Sequence, residues 1–241
     1  PAVAIPGALL ALAVCWATLS LARVLGAQPR AAAAALMLYL PLLVVAFNVR
    51  PQLADYLCFA AALTLLRRLW SGGGTRRPLL GLTALTVLWA NLHPATPTLM
   101  AVCFAAAVAG FAVGDRAAAL RLASAGIVVA AATAVNPYGY QVIAQGLAIS
   151  AEANEHVLEW RHADFTDPWQ LLFVVTALSA AWHYRRRREW VMLAAVLVTL
   201  AFYIIAVRYM PWVIIAAAPG LAVIGSHGTV AAFIQRRQAV L

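Results

Sequence analysis

Charged side chains are scarce in this sequence, and lysine is missing altogether. Charged residues make up 10% of the 241 residues, and all 17 basic residues are arginine. Soluble domains are about half apolar and about 25% charged, whereas this chain is 65% hydrophobic with a mean hydropathy of +0.87. The composition excludes an ordinary soluble domain and predicts a polytopic helical membrane protein.

The chain also lacks the common signatures of metal sites, disulfide frameworks and nucleotide sites. Its three cysteines, Cys15, Cys58 and Cys103, lie within apolar segments and form no C-x-x-C pair, which argues against a disulfide framework and against zinc. No P-loop, His-Glu-x-x-His motif or Ser-His-Asp order is present. The net charge of +9 does not indicate nucleic acid, because the arginines lie in joints between apolar segments.

Nine apolar segments are long enough to be membrane spans, which need roughly 17 to 25 residues. We therefore predict an all-α fold, a transmembrane helical bundle of about nine spans that forms one domain over residues 1–241. The predicted spans are 3–25, 31–49, 51–69, 78–93, 97–114, 118–135, 168–184, 189–207 and 210–226. A hairpin at Asn48–Pro51 separates the second from the third.

The arginines are distributed unequally between alternate joints, which predicts the orientation. Three arginines, Arg50, Arg161 and Arg208, fall on one side. Fourteen fall on the other side: Arg23, Arg30, Arg67, Arg68, Arg76, Arg77, Arg116, Arg121, Arg185–Arg188, Arg236 and Arg237. We expect the arginine-rich side to be cytoplasmic, with residue 1 and the long loop 136–167 on the non-cytoplasmic side of a bacterial inner membrane.

The loop 136–167 is the one long segment without the composition of a span. It holds five of the eight acidic residues, and residues 140–147 predict a short helix lying at the membrane interface. Helices that leave the outer side begin near a proline, which suits the first helical position. Thr96, Asn136 and Asp167 precede three of these prolines and are expected N-caps.

Several polar side chains fall at the outer level although they are far apart in the sequence. Asp55 lies within a span, where a carboxylate needs a partner, and Arg50 is the expected one. Arg50 and Arg208 suit a phosphate, because a guanidinium binds phosphate oxygens in a bidentate manner. His93, Glu159 and Asp164 suit acid–base chemistry. Each also has a purely structural interpretation, as a headgroup contact, a helix cap or solvated loop surface.

The ordered motifs resemble a group of bacterial polytopic membrane proteins similar to the glycosyltransferase C superfamily. The resemblance covers about residues 31–225. The motifs that carry it are Arg50-Pro51-Gln52, Trp89-Ala90-Asn91-Leu92-His93, Asn136-Pro137-Tyr138-Gly139, Glu159-Trp160 with Asp164-Phe165, and Arg208 before Pro211. The group commonly has Gly-Gly after the histidine, where this chain has Pro94-Ala95.

The resemblance implies an enzyme of the cell envelope that transfers a sugar from a polyprenyl-phosphate carrier at the outer face. A divalent cation such as Mg²⁺ or Mn²⁺ is compatible with it. Such enzymes carry a catalytic carboxylate in the first outer loop, so we expect this chain to be a fragment that lacks the first helix and that loop. The candidate catalytic residues are His93 and Glu159. The candidate substrate-binding residues are Arg50, Gln52, Asn91, Asn136, Tyr138, Asp164 and Arg208.

Two other functions stay open. A transporter or lipid flippase would need polar groups near the middle of the membrane, and Asp55 and Pro41 are the nearest approach to these. A non-catalytic membrane subunit would use the outer loop to bind a protein partner, and the sequence does not identify such a partner. Membrane lipid is an expected partner in each case, and nucleic acid is not.

Overall fold

The computed structural model describes residues 4–46, 52–144 and 157–227, and these residues form nine α-helices of 16 to 21 residues without any β-strand. The helices in chain order are α1 (Ala4–Val24), α2 (Pro29–Ala46), α3 (Gln52–Trp70), α4 (Arg76–Leu92), α5 (Thr96–Ala112), α6 (Arg116–Thr133), α7 (Pro168–Arg187), α8 (Trp190–Ile205) and α9 (Met210–His227). Two short 3₁₀ turns, Leu158–Trp160 and Val207–Tyr209, precede α7 and α9.

The all-α prediction is confirmed, and each of the nine predicted segments is a helix. Wherever a helix end is described, it lies within three residues of the predicted one. Within the described part of the chain, three helices are long and apolar enough to cross a membrane, over Ile5–Val24, Arg116–Thr133 and Val207–His227. Residues 141–144 are helical at the start of the predicted interfacial helix. The rest of that helix and the Asn48–Pro51 hairpin lie outside the described residues.

The predicted N-caps have different outcomes. Asp167 caps α7, because its carboxylate accepts a hydrogen bond of 2.9 Å from the amide of Trp169. The prediction for Thr96 is wrong, since α5 begins at Thr96 itself and the buried Thr96 hydroxyl accepts from Thr133 Oγ1 at 3.0 Å. A buried hydroxyl needs a partner, and here the partner is on the neighbouring helix. Asn136 accepts from the amide of Tyr138 at 2.8 Å and closes a local turn.

The arginine-rich joints lie together at one end of the bundle, called here the arginine end, where hydrogen bonds and an ion pair connect them. Arg67 at the end of α3 forms a bidentate ion pair with Glu189 before α8, at 2.8 and 3.0 Å. The backbone amide of Gln28, between α1 and α2, donates to the hydroxyl group of Ser226 near the end of α9 at 2.8 Å. Arg121 on α6 donates to the last carbonyl groups of α3 at 2.7 and 3.1 Å.

The alternate joints meet at the opposite end, called here the cavity end. Thr133 at the end of α6 bonds Thr96 at the start of α5. Asn91 at the end of α4 donates to the carbonyl group of Val135 at 2.8 Å. Consecutive helices therefore run in opposite directions, and the polar residues of the alternate joints share one end.

Small residues allow the helices to approach closely, and the outer faces stay apolar. A Cβ atom at Gly110 on α5 would lie 3.0 Å from the Cβ of Ala119 on α6, so a larger residue there would have to move the two helices apart by a few tenths of an ångström. Large apolar side chains point away from the core on most helices, among them Leu12, Trp16, Val108, Ile127 and Leu172. An exposed apolar surface of this extent is typical of a protein that is in contact with lipid or with another protein.

Candidate functional site

A cavity of about 440 Å³ opens at the cavity end. Helix α3, the joint between α4 and α5, the turn Leu158–Trp160 and the joint between α8 and α9 contribute its walls. Its polar lining includes Gln52, Asp55, His93 and Arg208, and its aromatic lining includes Trp160 and Trp212. The volume falls within the usual range for small-molecule sites, about 300–1,000 Å³.

The Asp55 carboxylate is buried in the first turn of α3 and is held by one side chain from α4 and one from the residue that follows α4. Asp55 is 1% exposed. Its Oδ1 accepts from the indole Nε1 of Trp89 at 2.7 Å, and its Oδ2 lies 2.7 Å from Nδ1 of His93. Oδ2 and Nδ1 form no hydrogen bond of regular geometry, either with each other or with another of the described residues, so this contact is a close approach of the two groups. Burying a carboxylate without partners costs several kcal/mol, so these contacts make the burial tolerable.

The local sequence explains why both partners come from the same end of α4. Trp89 lies in the last turn of α4, and His93 is the extended residue that directly follows the helix, with its backbone amide donating to the Trp89 carbonyl group at 2.9 Å. Asn91 lies between them at about 200° of helical rotation from Trp89, and it faces the other way. Its Nδ2 donates to the carbonyl groups of Val87 and Val135 at 2.7 and 2.8 Å. Asn91 therefore connects α4 to the end of α6.

Aromatic packing fixes the orientation of Trp89. The Trp89 ring stacks on Trp212 of α9, with 5.7 Å between centroids and 15° between planes. Phe59 and Tyr56 of α3 meet Trp212 edge-on at 4.9 and 5.8 Å. Trp89 is fully buried in this cluster, so its N–H group is directed at Asp55 without rotational freedom.

Arg208 lies in the Val207–Tyr209 turn and lines the cavity beside His93. Its guanidinium carbon is 3.8 Å from the centroid of the Trp160 ring, which is a close cation–π contact. Such a contact contributes roughly 0.5–2 kcal/mol. It holds the guanidinium group against the Trp160 ring at the wall of the cavity.

Two backbone hydrogen bonds attach the loop that carries Trp160 to the joint that carries Arg208. The Ala163 amide donates to the Ile204 carbonyl group at 3.1 Å, and the Val207 amide donates to the Arg161 carbonyl group at 3.0 Å. The contact between Trp160 and Arg208 is therefore supported by the main chain on both sides.

Gln170 and Asp164 give the loop further internal bonds. Gln170 Oε1 accepts from the Asp164 amide at 3.0 Å and from the Tyr203 hydroxyl at 3.1 Å. The hydroxyl and amide of Thr166 donate to Asp164 Oδ1 at 2.6 and 2.8 Å. These two hydrogen bonds, the hydroxyl first, lower the pKa of Asp164 below its usual value. Asp164 thus acts as the cap of a tight turn.

Gln52 at the start of α3 lines the cavity with a side-chain amide whose oxygen lacks a hydrogen-bond donor among the described residues. Its Oε1 atom is buried and has no hydrogen-bonding partner in the described part of the chain. Buried polar atoms in native proteins nearly always have a partner. An N–H or O–H group of a bound ligand would satisfy this oxygen.

The predicted site residues fall into three groups. Gln52, His93 and Arg208 line one cavity, as does Asp55. Glu159 is half-buried beside Trp160, and Asn91, Asn136, Tyr138 and Asp164 are held in turns or at helix ends outside the lining, with Tyr138 exposed. Arg50 lies outside the described residues. The described partners of Asp55 are Trp89 and His93, where the sequence suggested Arg50.

Two tryptophans, Trp160 in the lining of the cavity and Trp89 outside that lining, have specific contacts that the sequence interpretation missed. Trp160 belongs to the Glu159-Trp160 motif, and it stacks on Arg208. Trp89 was part of a quoted motif without a role of its own. Its four-residue spacing from His93 was the signal that both could reach Asp55.

The described residues contain no group of three His, Cys, Asp or Glu side chains that could bind one metal ion. The divalent cation that the resemblance allows therefore has no complete ligand set within them.

Comparison with known proteins assigns no family or function to this chain. No protein-family model, no curated protein and no solved structure matches this chain.

Proposed function

We propose that this chain is a bacterial inner-membrane protein of nine spans that transfers a sugar from a polyprenyl-phosphate carrier at the non-cytoplasmic face. In this topology the arginine end is cytoplasmic, and the cavity end and the loop 136–167 are outside. The fourteen-to-three division of arginines supports this orientation. The apolar outer faces of the helices support contact with lipid over most of the bundle.

The observation that carries the proposed chemistry is the meeting of Asp55, His93 and Arg208 at one cavity. We infer that the proton of a neutral His93 imidazole lies on Nδ1, because this nitrogen is 2.7 Å from the Asp55 carboxylate. Nε2 then carries the lone pair and is the nitrogen left for a ligand. A histidine held by a buried carboxylate in this way is the arrangement of a general base.

The proposed step uses these groups in defined roles. The acceptor hydroxyl oxygen forms a bond to the anomeric carbon of the sugar while its proton passes to Nε2 of His93. The bond between the anomeric carbon and the phosphate oxygen breaks, and its electron pair leaves with the polyprenyl phosphate. Asp55 stabilises the imidazolium that forms. Arg208 binds the phosphate, whose charge increases as it leaves.

Three further residues have proposed roles at the edge of the site. Gln52 accepts a hydrogen bond from a sugar hydroxyl, which would satisfy its buried oxygen. Glu159, beside the lining residue Trp160, is kept as a second acid–base candidate. Arg50 is kept as a second phosphate ligand, since it belongs to the same outer joint as Gln52.

A flippase is the second candidate function, because the same cavity would bind the phosphate of a lipid that is moved without reaction. The two functions differ at His93. A general base is needed for transfer, whereas binding depends chiefly on Arg208. A non-catalytic subunit would require neither residue.

The experiment measures binding of a polyprenyl-phosphate analogue to purified protein and release of polyprenyl phosphate from the sugar-linked carrier by mass spectrometry. Arg208→Ala should weaken binding by about tenfold to a hundredfold, since hydrogen bonds to charged groups contribute about 1.5–3 kcal/mol. Arg208→Lys should restore binding in part, because it keeps the charge but loses the planar fork. Arg50→Ala should weaken binding similarly.

His93→Gln should keep binding and lose release of polyprenyl phosphate. Arg161→Ala is the matched control, because this arginine is exposed in the same loop and does not line the cavity. Unchanged binding in folded Arg208→Ala and Arg50→Ala would remove the carrier-lipid proposal. Intact release by His93→Gln would reject the transferase step, and lipid movement without release in wild type would favour the flippase.

A further inference from the structure

Two neighbouring cavities lie at the arginine end, remote from the site described above. The first, of about 270 Å³, lies among the joint between α1 and α2, the end of α7 and the end of α9. The second is a groove of about 530 Å³ along α7, to which Ile224 of α9 also contributes. His183 lines both, so the two cavities adjoin at one side chain.

The lining of the first cavity includes one arginine, two histidines and one acidic residue. Arg187, His183 and His227 contribute to its wall, and the acidic residue in that wall is Glu189. Glu189 is already paired with Arg67 at 2.8 Å. The Arg187 guanidinium therefore lacks a carboxylate partner within this lining, and an anion would fit there.

The groove has an apolar floor and a basic end. Val175, Leu178, Trp182 and Ile224 contribute the apolar surface, and Arg186 lies at the end nearest the first cavity. The guanidinium carbon of Arg186 is 4.9 Å from the Trp182 ring centroid. That of Arg185 is 5.6 Å from the same ring. The α7 residues are spaced so that they form one stripe along the helix.

We propose that these two cavities form one binding site for an anionic phospholipid of the surrounding membrane. The phosphate binds in the first cavity at Arg187 and at its border with Arg186, and an acyl chain lies along the groove. The combination of a basic pocket and an apolar groove matches the two parts of such a lipid. The site is independent of the proposed transferase, because it lies at the other end of the bundle.

The test compares lipids on purified, detergent-solubilised protein by native mass spectrometry and by thermal unfolding. The probes are phosphatidylglycerol, phosphatidylcholine and glycerol 1-phosphate. Wild type should retain phosphatidylglycerol in preference to the other two. Arg186→Gln with Arg187→Gln should weaken this binding about tenfold or more, as expected for charge-assisted hydrogen bonds. Ser179→Trp, which fills the groove and leaves the arginines in place, should also weaken it.

The matched control is Arg76→Gln with Arg77→Gln, which removes the same charge from exposed positions at the arginine end. An equal loss in this control would show a general charge effect and would overturn the site. Equal binding of phosphatidylcholine would overturn the recognition of charge. Binding of glycerol 1-phosphate as tight as that of the lipid would indicate a free-phosphate site instead. The comparison of probes on wild type decides these last two outcomes even if a variant fails to fold.

Discussion

Trp89 in the last turn of α4 and His93, the residue that follows this helix, each contact a different oxygen of the Asp55 carboxylate at 2.7 Å. The two contacts fix both the position and the plane of the carboxylate. One partner, Trp89, is immobilised in an aromatic cluster, and the other, His93, lines the cavity. Through Asp55, the packing of Trp89 in the core therefore helps to hold His93 in its position at the cavity.

Replacing Trp89 by phenylalanine should destabilise the protein by about 1–3 kcal/mol, because the buried Oδ1 of Asp55 loses its donor. The aromatic contact with Trp212 is largely kept. Thermal or denaturant unfolding in detergent measures the change. Trp169→Phe is the control, since Trp169 is 76% exposed and should change stability by less than about 0.5 kcal/mol. Equal stability of Trp89→Phe and wild type would show that the Asp55 contact is not stabilising.

Replacing Gly220 by alanine should separate α9 from α7. The added Cβ would lie 2.8 Å from Cζ of Tyr184, whose hydroxyl donates to the Ala216 carbonyl group at 2.9 Å. Overpacking of this kind costs about 1–3 kcal/mol. Gly225→Ala on the same helix is the control, because its Cβ would meet Ala31 at an ordinary 3.7 Å. Unfolding midpoints should fall for the first variant only, and equal midpoints would contradict the packing described here.

The proposed orientation predicts opposite labelling of the two ends. In a background without Cys15, Cys58 and Cys103, Tyr138→Cys should react with an impermeant thiol reagent in intact cells, because this exposed residue lies at the cavity end. Gly73→Cys in the joint between α3 and α4 should react after lysis only. The reverse pattern would invert the topology, and with it the side on which the cavity opens.

Thr166→Val should raise the pKa of Asp164, since the Thr166 hydroxyl is the largest cause of its lowering. A lowered pKa in the folded state stabilises the turn above the usual aspartate pKa of about 3.9. That stabilisation is lost as the pH falls through the lowered value. Titration of labelled aspartate ¹³Cγ signals measures the shift, and the chain has four aspartates. Thr83→Val, whose hydroxyl bonds a backbone carbonyl group, is the control. An unchanged Asp164 titration would contradict the turn geometry.

The helices could be predicted from the sequence because each apolar segment ends at an arginine, a proline or a polar pair. The apolar segments are only about as long as one span, so the helix ends can be placed within a few residues. The cost of burying Asp55 correctly indicated a need for partners, but the identity of those partners depends on how α4 is rotated against α3. Sequence spacing alone does not fix that rotation. Asn91 illustrates this, since it shares a motif with His93 and yet bonds Val135 on the other side of the helix.

The contacts of the segment around Trp160 are harder to predict from the sequence than the helices. The contact of Trp160 with Arg208 joins residues 48 positions apart, and it depends on backbone bonds that any residue types could make. Aromatic residues near the ends of spans are usually at the interface, and this general rule does not indicate a contact between Trp160 and one particular arginine. Thr96 failed for a similar reason, because its burial against α6 outweighed its capping tendency.

The interruption between α8 and α9 also constrains how the sequence can change in length. Helix α8 ends at Ile205 and α9 begins at Met210, so the carbonyl group of Ile204 and the amide of Val207 are available to the loop at Ala163 and Arg161. The two segments are thereby locked in register. An insertion or deletion of one residue in either segment would break this pairing and move Trp160 away from Arg208. Residues 160–163 and 204–208 should therefore tolerate substitutions of exposed side chains but not a change in their number.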